Sequence, residues 1–180
     1  MQINEALRDL LSNATKPLSI GIDGHAGSGK STLASEISRA FAGTYKTLII
    51  HLDELYNGWD DPLSAELFTK IEALLIAQVA RESIELPIFN WESNSFTSTR
   101  EVKAVELLII EGVGSLNQLS RSNFTTSIWL DIDQTTGLDR VLTRDGESIR
   151  SEMIKWQKME SGHFTRDLTR ESADFILSTQ

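Results

Sequence analysis

One stretch, "IGIDGHAGSGKSTLA" from Ile20 to Ala34, limits what this chain can fold into more than any other. It places four glycines, the first inside the apolar run "LSIGID", and a lysine ahead of a segment in which Leu33, Ile37 and Phe41 recur at helical spacing. The order is therefore strand, glycine loop, helix. Further along, "TLIIHLD", "VELLIIEG", "SIWLDID" and "ADFIL" read as strands, and the third and fourth strands are apolar enough to be covered on both faces, as parallel sheets are. Helical patterns fall before and between them. Ile3, Leu7, Leu10 and Leu11 share one helical face ahead of Pro17, and Pro62 opens a long helix with apolar positions at Leu67, Ile71, Leu74, Leu75 and Ile76. "TTGLDRVLTRD" and "SEMIKWQKMESGHF" form two more helices, joined by a polar turn around Gly146. Strands alternating with helices specify an α/β chain with a mostly parallel, five-stranded sheet covered by helices on both faces.

The length of 180 residues, without repeat or linker, fits one domain over 1–180. The segment "ELPIFNWESNSFTSTREV" fits neither element type well; it reads as a surface excursion with room for a short hairpin and, beside the strand ends, as a candidate substrate wall. A net charge of −9 argues against a broad nucleic-acid footprint, which needs clustered Lys and Arg. No apolar run approaches the ~18 residues of a membrane helix. Cysteine is absent, which rules out disulfides and thiolate metal sites and is compatible with a cytoplasmic location. The sequence does not fix the oligomeric state, and a homodimer is compatible with it.

Gly24, Gly29, Lys30 and Ser31 satisfy the P-loop spacing G-x-x-x-x-G-K-[ST]. Through Gly24, His25, Ala26, Gly27, Ser28 and Gly29, successive backbone N–H groups can converge on phosphate oxygens without Cβ obstruction, and the following helix points its positive dipole end at the same anion. Lys30 reaches the β and γ phosphates as a point charge, Ser31 offers a hydroxyl to Mg²⁺, and Thr32 assists the helix start. Magnesium needs a further acid, commonly at the end of a neighbouring strand and often through water. Asp53, Glu111 and Asp131 all qualify by position; Glu111 is favoured because Gly112 leaves space above its strand, while Asp131 and Asp133 read as helix caps. The bland alternative for Glu111 is itself a cap or a loop acid.

With the P-loop, "HLDELY", "LIIEG" and "LDIDQTTGLDRVLTRD" in this order, the chain resembles the uridine kinase and phosphoribulokinase branch of the P-loop kinases. The resemblance implies a three-layer P-loop NTPase fold with a short lid. It implies an ATP-dependent, Mg²⁺-requiring kinase acting on a hydroxyl of a nucleoside-like or sugar-like small molecule. It makes Asp53, with Tyr56 three residues on, the acid that meets the acceptor hydroxyl. Arg140 and Arg144, four apart and so on one helix face, become the lid arginines, with salt bridges to neighbouring acids as the alternative. The chain departs from the family pattern at Gly137 and Val141, where further arginines are expected, and at Phe89 and Asn90 of "PIFN", where a phenol and an acid are expected.

Trp59 and Trp91 flank the acceptor region and either stack on a substrate ring or serve packing. His51 reads as a hydrogen-bonded core residue, and His25 as contributing its backbone more than its ring. Whether Glu160 and His163 face the cleft is open. The competing functions are an NTP-hydrolysing switch acting on a protein partner and a nucleotide-binding module without acceptor chemistry. The Asn-Lys-x-Asp and Asp-x-x-Gly strings of the usual GTPases and the Leu-Ser-Gly-Gly string of transporter ATPases are absent.

Overall fold

The structure, a computed structural model, describes residues 2–15 and 17–179, the side chains of residues 2–4 excepted. Ile3, assigned above to a helix face, is therefore outside the described side chains. Twelve elements follow in chain order: α1 (Gln2–Asn13), β1 (Leu18–Gly24), α2 (Lys30–Phe41), β2 (Thr47–His51), α3 (Ala65–Ala80), β3 (Ser83–Asn90), β4 (Ser95–Lys103), β5 (Leu107–Glu111), β6 (Thr126–Asp131), α4 (Gln134–Asp145), α5 (Arg150–Asp167) and β7 (Phe175–Ser178). Five strands form one sheet in the order β2-β5-β1-β6-β7, every pair parallel.

The alternation of side chains along the strands builds two cores. Leu18, Ile20 and Ile22 of β1, Leu107 and Ile109 of β5, and Ile128 and Leu130 of β6 meet Leu7 and Leu11 of α1 and Ile37 and Phe41 of α2. The opposite face carries Leu108, Ile110 and Trp129 against Leu67, Ile71, Leu74 and Leu75 of α3, Val141 of α4, and Met153, Trp156 and Phe164 of α5. Each fully buried Leu or Ile contributes roughly 1.5–3 kcal/mol, so the sheet is fixed from both sides. The fold is thus the three-layer α/β sandwich expected.

Two local expectations change. The long helix starts at Ala65, not Pro62, because the Ser64 hydroxyl accepts from the Leu67 N–H at 3.2 Å and caps it. Ile76 lies on the outer side of that helix, 59% exposed, and adds nothing to the core. The surface excursion is a full antiparallel hairpin of β3 and β4, paired only with itself.

On the face of β1 away from Ile20 and Ile22, Asp23 is fully buried. It accepts from the backbone N–H groups of Gly24 (2.8 Å), Gly114 (3.1 Å) and Leu116 (2.9 Å), tying the end of β1 to the loop after β5. Burial raises its pKa to about 6 in spite of these bonds. A carboxyl whose folded pKa lies above its unfolded value favours the folded state most when protonated, and this contribution is lost as pH rises from about 4 to about 6. Across that window the difference in unfolding free energy between wild type and Asp23→Asn should shift against wild type by on the order of 3 kcal/mol. Urea titrations at half-unit pH steps measure this, and a pH-independent difference would contradict it.

Candidate active site

Parallel pairing brings the carboxyl ends of β2, β5 and β1 side by side, so everything appended to them meets at one edge of the sheet. β1 runs directly into the glycine loop, where Gly24, Gly27 and Gly29 all take positive φ (143°, 79° and 91°). Gly27 also lies against α4: a Cβ there would fall 2.2 Å from the Gly137 carbonyl oxygen, and one on Gly137 would fall 2.5 Å from the Ala26 carbonyl oxygen. The departure at Gly137 therefore has a steric reason, since α4 rests backbone to backbone on the loop. Gly137→Ala should push the helix off it and cost about 1–3 kcal/mol, read as a lower Tm with unchanged far-UV circular dichroism.

Lys30 is nearly buried, and its Nζ donates to the carbonyls of Gly24 and His25, both at 2.8 Å. Ser28 Oγ is buried without a hydrogen-bond partner among the described residues. Ser31 Oγ donates to Glu111 Oε1 at 2.9 Å. Glu111 pairs in register with His51 on β2, which places the His51 Nδ1 against the same carboxylate oxygen. His51 is thus a half-exposed partner of Glu111 rather than a core residue, and this hydrogen bond raises its pKa. Strand pairing supplied that contact, and β2 and β5 lie far apart in the sequence.

Asp53 follows β2 in a single 3-10 turn, Leu52–Glu54. Its side chain keeps access to solvent although protein crowds it on most sides. That crowding, with the Glu111 charge second, raises its pKa, while Lys30 and Arg144 pull it down. Tyr56 is buried and its hydroxyl donates to the Val113 carbonyl at 2.9 Å, so it offers the cleft its ring, not its phenol. Trp59 stands edge-on to Trp91 (5.2 Å between centroids) and Trp156 (6.0 Å). Trp91, at the tip of the hairpin, donates its indole N–H to the Asp53 carbonyl at 2.9 Å, and Arg100 of β4 pairs with Glu54 at 2.8 Å. The hairpin is therefore fastened to the turn that bears Asp53.

From α4, Arg140 reaches the Gly27 carbonyl at 3.4 Å, and Arg144 makes a two-pronged pair with Asp145 while still lining the cleft. Asp133 caps α4 by accepting from Thr136 N–H, and Asp131 pairs with Arg170, away from the cleft. Phe89 is buried, and the Asn90 side chain accepts from the N–H groups of Glu92 and Ser93, so the two departures in "PIFN" pack and turn the hairpin. One cavity of about 720 Å³ is lined by Gly27, Gly29, Lys30, Ser31, Thr32, Asp53, Tyr56, Trp59, Trp91, Glu111, Arg140 and Arg144. Sequence reasoning missed Trp156 and Met153 of α5 as further lining residues; their helical spacing read only as packing. Glu160 and His163 do not line the cleft: both are buried, Glu160 behind the glycine loop and His163 stacked on Phe68.

The glycine loop, the helix behind it and the strand ends define a P-loop protein of the α/β class. No protein-family model matches the chain. Curated relatives include the uridine kinase of Clostridium perfringens, 28% identical over 186 residues (90% of this chain, 87% of that protein), and that of Ligilactobacillus salivarius, 26% identical over 188 residues (93% and 88%). Among solved structures, a possible uridine kinase from Bacillus stearothermophilus superimposes with a TM-score of 0.71 at 20% identity, covering 98% of this chain and 100% of that one. D-glycerate 3-kinase from Cryptococcus neoformans gives 0.63 at 11% identity, covering 98% and 94%. The chain is similar to the uridine kinase-like P-loop kinases in sequence and fold, and it is a kinase, an enzyme of phosphoryl transfer to a small molecule.

Proposed function

We propose that the cleft transfers the γ-phosphoryl group of ATP, with Mg²⁺, to a hydroxyl of an uncharged, ring-bearing small molecule of nucleoside type. The observation that carries this reading is the cavity itself. It runs from the glycine loop past the Ser31–Glu111 pair and Asp53 to a wall of Tyr56, Trp59, Trp91 and Trp156. Its lining cations, Lys30, Arg140 and Arg144, belong to the loop and to α4, and the aromatic wall carries none. A phosphorylated or carboxylate acceptor would find no counter-charge there, whereas a flat neutral ring finds faces and edges to pack on. The curated relatives are named for uridine, a nucleoside, and support the same class.

The residues fit the implied groups. Ser31 and Glu111 are hard oxygen donors 2.9 Å apart beside the loop, the kind of partial shell that Mg²⁺ takes when phosphates and water complete it. ATP and Mg²⁺ supply the transferable group and neutralise its charge. The chain supplies alignment and exclusion of water. The amides of Gly27, Gly29, Lys30 and Ser31 with the Lys30 ammonium would hold the phosphates, Ser31 and Glu111 would hold the metal and its water, and His51 orients Glu111. Arg140 and Arg144 face the transferring oxygens. Asp53 accepts the acceptor hydroxyl's proton, and crowding by the protein, with the Glu111 charge second, raises its pKa and so its basicity.

Lys30→Ala should lower kcat by about 10³-fold or more with the fold intact. Asp53→Asn should lower it by about 10²–10⁴-fold while calorimetric affinity for ATP is kept. A screen of nucleosides, sugars and sugar acids for ADP release, with mass spectrometry of the products, tests the acceptor class. Phosphorylation of a sugar acid in preference to every nucleoside would overturn it.

A further inference from the structure

Glu160, on α5, is fully buried, yet nothing in phosphoryl transfer as set out above uses it. Its carboxylate is filled by donors from two directions. Oε2 accepts from the backbone N–H of Ala26 at 3.1 Å and from the indole N–H of Trp156 at 3.0 Å. Oε1 lies 2.8 Å from His25 Nδ1, and because an ionised carboxylate only accepts, the imidazole carries its proton on that nitrogen. The His25 ring is wedged edge-on between Trp129 (5.7 Å) and Phe164 (5.1 Å), so it has little freedom to leave. Trp156, at the other end, is edge-on to Tyr56 at 5.1 Å and lines the cleft on its acceptor side.

We infer that Glu160 is a positioning residue whose carboxylate fastens the phosphate loop to the acceptor-side wall of the cleft. It takes up the Ala26 amide from behind the loop, sets the loop's entry angle through His25, and passes the loop's position to Trp156. A buried carboxylate with fewer partners would cost far more than a neutral side chain, so the three donors and the acid are held as one unit. Loop geometry and the Trp156 ring then respond to each other, and a nucleotide that seats the loop also sets the wall against which the acceptor packs. This inference rests on the P-loop reading of residues 24–31, and its test reads nucleotide binding alone, without an acceptor.

Mg·ATP is titrated by calorimetry and by tryptophan emission into wild type, Glu160→Ala, Glu160→Gln and Trp156→Phe, the last isolating the Trp156 part of the signal by difference. Glu160→Ala should bind about tenfold more weakly and lose the Trp156 response. Glu160→Gln should restore both to within about threefold, because the amide oxygen can accept from Ala26 and Trp156 while its NH₂ donates to His25 in the other tautomer. A folded Glu160→Ala that binds as wild type does, or a Glu160→Gln as weak as Glu160→Ala, would overturn the inference. If Glu160→Ala does not fold, His25→Phe keeps the ring packing and removes one fastening; about threefold weaker binding supports the inference, and wild-type affinity overturns it. Wild-type protein that fails to bind Mg·ATP would instead bring down the nucleotide reading of the loop and this inference with it.

Discussion

The pairing of β1 between β5 and β6 is the constraint on which the rest of the molecule depends. All seven residues of β1 are buried, and its register with β5 sets Ile22 beside Glu111, while β2 on the far side of β5 sets His51 beside the same residue. A one-residue slip would turn Leu18, Ile20 and Ile22 away from α1 and α2 and bury Ser19 and Asp23 in an apolar core. The hydrophobic pattern therefore fixes the register, and the register fixes which acid stands next to the glycine loop. Stability and chemistry share one cause here.

Much of this was legible in the chain. The five strands, the helices between them and the loop after β1 follow from apolar runs and glycine spacing, which are local signals. Ser31 and Glu111 could be paired because Ser31 opens the helix that follows β1 and Glu111 ends β5, and the ends of a parallel sheet's strands converge. What stayed hidden depends on contacts between distant segments. His51 looked like a core residue because strand position alone does not say that its neighbour across the ladder is an acid. Glu160 and His25 are separated by most of the chain, and a glutamate on a helix that carries several other charged residues gives no sign of the amide it will meet. Trp156 was hidden for the same reason, since helical spacing marks a buried stripe but not which part of it borders a cavity. Pro62 misled because a proline favours a first turn, while Ser64 offers the hydroxyl that a helix start needs.

Glycine at 137 shows how a departure from a family pattern becomes intelligible once the neighbour is known. A longer side chain there would collide with the carbonyl of Ala26, so the helix bearing Arg140 and Arg144 gains proximity to the loop and gives up a charge at that turn. Arg140 and Arg144 lie one and two turns further along and border the cleft.

The hairpin of β3 and β4 shares no ladder with the main sheet and is joined to the turn that bears Asp53 by one indole and one ion pair. Its strands pack Leu86 and Val102 against the core under α3, and of the hairpin it is the turn residue Trp91 that borders the cleft. Such a chain can diverge in the small molecule it accepts while the glycine loop stays fixed, so new acceptor preferences should arise first at this hairpin tip.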